Sequence, residues 1–432
     1  MVEPALSEPL AELDGIILEQ AERIEEFLAY HRNQVMCPVY TSVDIRRNRV
    51  KAAVVDTNAF PAGFNNLAAR SHGEAAAALE SYLHKVYPGA KELLLLAENH
   101  TRNAWYFENV ATLRDLLAKA GYDVTVGTLN EELFPQAMVE TATGRSLEIH
   151  GVAREGDEVI AGGIVPDFVV LNNDLSTGSP AILDGLAQPV TPPPSMGWHR
   201  RRKSQHFDFV NDLAEQLGAY AGFDPWCVSA YHERVDGVDF RARAGLDEVA
   251  AAVDRIAGRM EQKYADYDFD RNPRVFVKAD AGTYGMGVTS AGSGEEFLSL
   301  NSKGRAKMAK GKEGVATSSV IVQEGVPTSL RTGAQGGPAV AEPVMYMVCG
   351  RVVGGFNRVH AAKNDEESLN APGSTFEPLA FATTEGAPGP DEAAVDPVSR
   401  HLYQMVGEIA SIATGYEWRA QQEAGLVLPR YP

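Results

Sequence analysis

Residues 274–288 read Arg-Val-Phe-Val-Lys-Ala-Asp-Ala-Gly-Thr-Tyr-Gly-Met-Gly-Val: an apolar run, a lysine, then three glycines within six residues. Val275, Phe276 and Val277 have the β-branched and aromatic character of a strand. A lysine at the end of such a strand, Lys278, can set a point charge beside phosphate oxygens. Glycines after it let main-chain N–H groups approach those oxygens closely. The chemistry suggested is nucleoside triphosphate binding, with Gly282, Thr283, Tyr284, Gly285 and Gly287 over the phosphates. The same composition also makes an ordinary hairpin. The chain has neither a G-x-x-x-x-G-K-[ST] loop nor G-x-G-x-x-G, so the other segments must decide.

Four further segments carry residues suited to that chemistry. Residues 319–327 run as a strand into Gln323-Glu324-Gly325-Val326, and a chain leaving a strand can offer its backbone to an adenine edge. Residues 342–359 form two β-rich runs around Gly350-Arg351, a hairpin with Glu342 and Arg358 at its open end. An acidic loop with Asp365, Glu366, Glu367 and Asn370 follows; its oxygens suit Mg²⁺ as hard ligands, or it is a solvated loop. Arg200-Arg201-Arg202-Lys203 concentrates positive charge, and arginine forks bind carboxylate or phosphate at two points. It reads as a ligand cluster or a basic surface turn. Asp56, Asn58, Asn65 and Asn66 follow a strand, where open α/β sheets bind ligands, and could hold amino or carboxylate groups, or simply form a turn. Residues 98–103, Glu-Asn-His-Thr-Arg-Asn, present a similar case.

The elements that must position these residues follow from periodicity. Helices are predicted over 7–32, 72–86, 104–120, 204–220, 246–264 and 395–422, the third ending at Gly121. Strands are predicted at 50–56, 93–96, 124–126 and 168–171, with a hairpin insertion over 141–163 and a polar link between the first helix and residue 50. Their alternation implies a parallel α/β sheet. The run Pro-Val-Thr-Pro-Pro-Pro at 189–194 reads as a linker. It separates a substrate-binding α/β domain (1–190) from a nucleotide-binding and catalytic α+β domain (196–432).

The 432 residues suffice for two or three domains. A net charge of −19 argues against a nucleic-acid partner, while a local basic cluster still allows an anionic ligand. Cys37, Cys227 and Cys349 are widely spaced and read as reduced thiols, which suits a cytoplasmic enzyme. No apolar run has the length of a membrane span, and the start of the chain does not read as a signal peptide. The histidines show no metal spacing, and no serine sits in a G-x-S-x-G elbow.

Taken in order, these segments resemble the ATP-grasp ligases. The resemblance implies ATP and Mg²⁺, with Lys203 and Lys278 as the two nucleotide lysines and residues 282–287 as the flap. It implies Gln323, Glu324 and Val326 as the adenine hinge, and Arg358 and Asn370 beside the transferred phosphate. Residues 358–379 are similar to the matching part of bacterial glutathione synthetase. From Asp56 onward the chain resembles the proteobacterial glutamate–cysteine ligase family typified by iron-oxidising bacteria. That likeness implies joining of the glutamate γ-carboxyl to cysteine through an acyl phosphate, with Arg200, Arg201 and Arg202 as anion binders. A homo-oligomer is compatible with it. One departure concerns the metal. Near the C-terminus stands Tyr416-Glu417-Trp418-Arg419, with no Glu-x-Asn strand. Either the metal ligands lie elsewhere, at Glu342 and Asn370, or the metal site is degenerate. Two alternatives remain: a ligase of the same mechanism with another acceptor, and a non-catalytic nucleotide-binding protein.

Overall fold

The computed structural model describes residues 8–99, 103–281, 287–309, 317–332, 338–380, 392–395, 397–423 and 425–431. Three sheets organise them. The first carries parallel strands Glu92–Ala97, Asp123–Thr128, Phe168–Asn172 and Val190–Thr191, with an antiparallel meander, Gln136–Glu140, Ser146–Glu155 and Glu158–Ala161, at one edge. Leu93 to Leu96 are all buried, as expected of a strand covered on both faces. Helices Ser71–Val86 and Ala104–Lys119 contribute to the core built on this sheet.

The second sheet has seven strands and is antiparallel through most of its width. Its order is Ala393–Ala394, Thr375–Ala380, Arg351–His360, Ala339–Val348, Tyr40–Arg47 and Ala52–Asn58, with Arg331–Thr332 also on Ala339–Val348. The third has four antiparallel strands: His232–Asp236, Ser319–Glu324, Val275–Ala279 and Val288–Ala291.

The strand Tyr40–Arg47 lies where a polar link was expected. Its sequence alternates. Thr41 and Arg47 reach the C-terminal helix Pro397–Gln422, Thr41 through Ser411 at 2.8 Å and Arg47 through Ser399 at 2.6 Å and Tyr403 at 3.0 Å. The even residues Ser42, Asp44 and Arg46 face the other way. Polar residues on both faces hide the strand from a hydrophobicity pattern, because the apolar partners come from remote chain segments.

The sheets also correct the expected division at 189–194. Tyr40–Asp44 pair with Val344–Val348, far beyond the proline run, and Ala52–Asn58 pair in turn with Tyr40–Arg47. The run itself is not a free linker, because Val190–Thr191 adds a parallel strand beside Phe168–Asn172. The helix expected over 7–32 is two helices, Glu8–Glu19 and Ala21–Gln34. No helix among the described residues is long and apolar enough to cross a membrane.

Candidate active site

Two clefts open beside each other on one face of the second sheet. The first encloses about 730 Å³ between that sheet and the four-stranded one. Its apolar wall is Val55, Phe276, Ala279, Val288 and Val326, and its charged groups include Asp44, Arg46, Asp56, Lys203, Lys278 and Glu342. The second encloses about 840 Å³ and is lined by Ser42, Asn58, Asn66, Asp174, Arg358 and a group of aromatic rings. Asp44, Asp56 and Asn370 line both clefts, so they mark the junction.

Strand register explains the convergence. Asp44 lies opposite Asp56 on one side and Val344 on the other; Glu342 lies opposite Arg358, and Arg358 opposite Phe376. Residues directly opposite in an antiparallel pair share a face. One sheet face therefore presents a charged row that grades into aromatic residues.

Lys278 Nζ donates to the carbonyl of Val55 at 3.0 Å and to Gln323 Oε1 at 2.7 Å. Burial pushes this amine down to about 8, against the pull of Asp56, and Lys203 and Arg46 add to the depression. Lys203 Nζ pairs with Asp56 and lies 4.3 Å from the centre of the Trp198 ring. Burial raises the Asp56 carboxyl, but Lys203 and Lys278 outweigh it and hold the group below its usual range. The strands Val275–Ala279 and Val288–Ala291 pair antiparallel, with Lys278 opposite Val288. Gly287 takes a φ of +62°, which favours glycine. Gly282, Thr283, Tyr284 and Gly285 lie outside the described residues.

On the segment after the strand Ser319–Glu324, Val326 lines the first cleft. A Cβ on Gly325 would lie 2.4 Å from the carbonyl of Arg274, so the close strand approach there needs glycine. The Glu324 carboxylate is committed to the wall, accepting from Lys51 Nζ at 2.7 Å, Trp226 Nε1 at 3.2 Å and the Tyr231 amide at 3.0 Å. Gln323 is buried and meets Lys278 rather than lining the cleft.

Arg358 donates to Asp44 at 2.5 Å and to Glu342 at 2.6 Å. Burial disfavours its cation, but Asp44 and Glu342 outweigh that and raise its pKa. Arg46 completes the network with Glu342 at 2.7 Å and reaches the carbonyls of Val326, Asp365 and Glu367 at 3.5, 3.3 and 2.5 Å. One guanidinium thus fastens both the hinge and the acidic loop to the sheet. Asp44 and Arg46 escaped the sequence reading because their strand did; the alternation of 40–47 was the available signal.

The basic cluster does not act as a unit. Arg201 is 1% exposed, and its fork is taken by Glu417 at 2.9 and 2.8 Å. Arg200 is exposed. Arg202 donates to the carbonyls of Arg200 and Arg201 at 3.0 and 2.8 Å and lines a separate recess with Asp208 and His232. None of the three arginines lines either cleft; only Lys203 does. Asn58 and Asn66 line the second cleft, while Asn65 donates to Asn66 Oδ1 at 3.0 Å. Glu98 is buried and accepts from the Asp174 amide at 3.4 Å.

The metal expectation also changes. Both Glu342 oxygens accept from guanidinium groups, so this carboxylate is not an open ligand. Asn370 does line the junction. Among the described residues, no three of His, Cys, Asp or Glu come together as a metal site.

Known proteins resemble this arrangement over nearly its whole length. The family model for glutamate-cysteine ligase matches residues 14–418. A protein of Methylobacillus flagellatus KT, assigned as a gamma-glutamylcysteine synthetase and solved at 1.90 Å, is 38% identical. The match covers 96% of this chain and 98% of that one, with a TM-score of 0.87. A glutathione synthetase-like effector of Globodera pallida is 11% identical over 84% of this chain and 87% of its own, with a TM-score of 0.42. D-alanyl-alanine synthetase A of Vibrio cholerae is 11% identical over 75% and 81%, with a TM-score of 0.34. At those scores neither of the last two carries an argument. No curated protein matches the chain. The match across residues 14–418, over a mixed α/β fold shared with the Methylobacillus protein, places this chain in the glutamate-cysteine ligase family.

Proposed function

We propose that ATP occupies the first cleft, that glutamate and cysteine occupy the second, and that chemistry takes place where the two clefts meet. The supporting observation is the junction itself: Asp44, Asp56 and Asn370 line both clefts, with Lys203 and Lys278 on one side and Arg358 on the other. The family joins glutamate to cysteine, the first step of glutathione synthesis. In this reading Val55, Phe276, Val288 and Val326 sandwich adenine, as in ATP-grasp ligases, and the lysines meet the phosphates.

A carboxylate attacking a triphosphate brings like charges together. Lys203, Lys278 and Arg358 offset that repulsion, and fixed charges in a partly dry cleft act more strongly than in water. The glutamate γ-carboxylate oxygen attacks the γ-phosphorus, ADP leaves, and an acyl phosphate forms. The cysteine amine then attacks the acyl carbon; phosphate leaves with the original carboxylate oxygen, and the amine loses its proton. Asp44 or Asp56 at the junction can orient the incoming ammonium. Glutamate-cysteine ligases use a divalent metal with ATP. The free thiols Cys37, Cys227 and Cys349 suit a cytoplasmic setting.

The test is product analysis with purified protein, ATP, Mg²⁺, glutamate and cysteine. ADP release should require glutamate, rise with cysteine and yield γ-glutamylcysteine by mass spectrometry. A different dipeptide, or ADP release indifferent to glutamate, would contradict the proposal.

A further inference from the structure

We propose that Phe376 forms the wall on which the acceptor amino acid rests its side chain, and that this wall selects the thiol side chain of cysteine. The inference rests on the ligase reading of the second cleft and assigns one side of it. Five aromatic rings run in contact from the interior to that cleft. Tyr40 and Phe64 have centroids 5.5 Å apart, Phe64 and Tyr346 4.9 Å, Tyr346 and Phe356 5.6 Å, and Phe356 and Phe376 5.2 Å. The first four are buried, whereas Phe376 is 47% exposed and lines the cleft. A half-exposed phenylalanine backed by a fixed ladder of rings is a preformed apolar surface.

The substrates divide by chemistry. The carboxylates of glutamate and the amino groups of both substrates have partners in the charged and amide groups of the same cleft, Arg358, Asp44, Asp56, Asn58 and Asn66. Adenine has the apolar wall of the other cleft. The CH₂–SH group of cysteine is the remaining soft, weakly polar group, and sulfur packs well against aromatic rings. Position agrees. Phe376 lies opposite Arg358 on the adjacent strand and on the same face. Neighbouring strands are about 4.8 Å apart. That is about the span of one small amino acid, so a side chain on Phe376 leaves its amine near the junction.

The test is steady-state kinetics on F376A and F376L beside the wild type, with thermal melts to confirm folding. F376A should raise the KM for cysteine about tenfold, the scale of one lost apolar contact in a pocket. KM for glutamate and ATP should stay within about twofold, because the loss is confined to acceptor binding. 2-Aminobutyrate, with a methyl group in place of the thiol, should serve as acceptor for the wild type and weaken in parallel in F376A. Serine should be poor in the wild type and lose little further. F376L should recover most of the cysteine affinity. An unchanged cysteine KM in folded F376A, or a rise in glutamate KM instead, overturns the assignment while leaving the ligase reading intact. Wild-type protein that makes no γ-glutamylcysteine overturns both.

Discussion

Lys278 answers two demands at once. In the proposed reading its amine must be charged to meet phosphate, yet burial favours the neutral form. The Lys278→Ala variant loses a charge-assisted contact worth about 1.5–3 kcal/mol, so KM for ATP should rise by roughly ten- to a hundredfold. An unchanged KM and turnover would remove Lys278 from the site. The depressed pKa gives a second expectation. The free enzyme carries the charge below about 8 and loses it as pH rises through that value. The kcat/KM for ATP should therefore fall above pH 8, and Lys278→Arg should move that limb upward. A flat profile from pH 7 to 10 would contradict this. At this scale much was legible. Lys278, Lys203, Asp56 and Arg358 are ionisable groups at strand or helix ends, and all four line the clefts. Arg201 misleads because sequence does not reveal burial: beside Arg200 and Arg202 it looks like a ligand fork, but Glu417, 216 residues away, holds it.

Among the elements, the strand Tyr40–Arg47 and the helix Pro397–Gln422 do most to shape the site. The strand supplies Asp44 and Arg46, and the helix packs behind it. Through the fully buried Arg201, Glu417 ties that helix to the segment entering the helix Lys203–Ala221. Glu417 is held down at about 2 from an ordinary 4.5; burial pushes it up, but Arg201 outweighs it, with help from His206. A depressed carboxyl stabilises the fold above its unfolded pKa and loses that contribution as pH falls through the folded value. The Glu417→Gln variant should thus be less stable than the wild type by about 3–5 kcal/mol at pH 7, the cost of stranding a buried charge. The gap should narrow between pH 4.5 and pH 2. Denaturant titrations across that range check this; a pH-independent gap would show that packing, not charge, carries the effect. Strands such as Leu93–Leu96 were plain from their apolar runs. Tyr40–Arg47 was not, because its role depends on remote partners at 339–348 and on the helix behind it.

Over the whole molecule, the chain builds the two clefts by returning to an early segment of its own sequence. Residues 40–44 pair with 344–348, and 52–58 pair in turn with 40–47, so the junction draws on both ends of the sequence. The alternating α/β pattern of residues 71–172 was readable locally, whereas this return was not. The central claim is that the glutamate γ-carboxylate is phosphorylated at the junction before cysteine attacks. Glutamate labelled with ¹⁸O in its γ-carboxyl group tests it directly, with ATP, Mg²⁺ and cysteine, by mass spectrometry of the released phosphate and the dipeptide. One labelled oxygen should appear in each phosphate as γ-glutamylcysteine forms. Unlabelled phosphate alongside the dipeptide would contradict the acyl-phosphate route, and phosphate release without any dipeptide would contradict the ligase account itself.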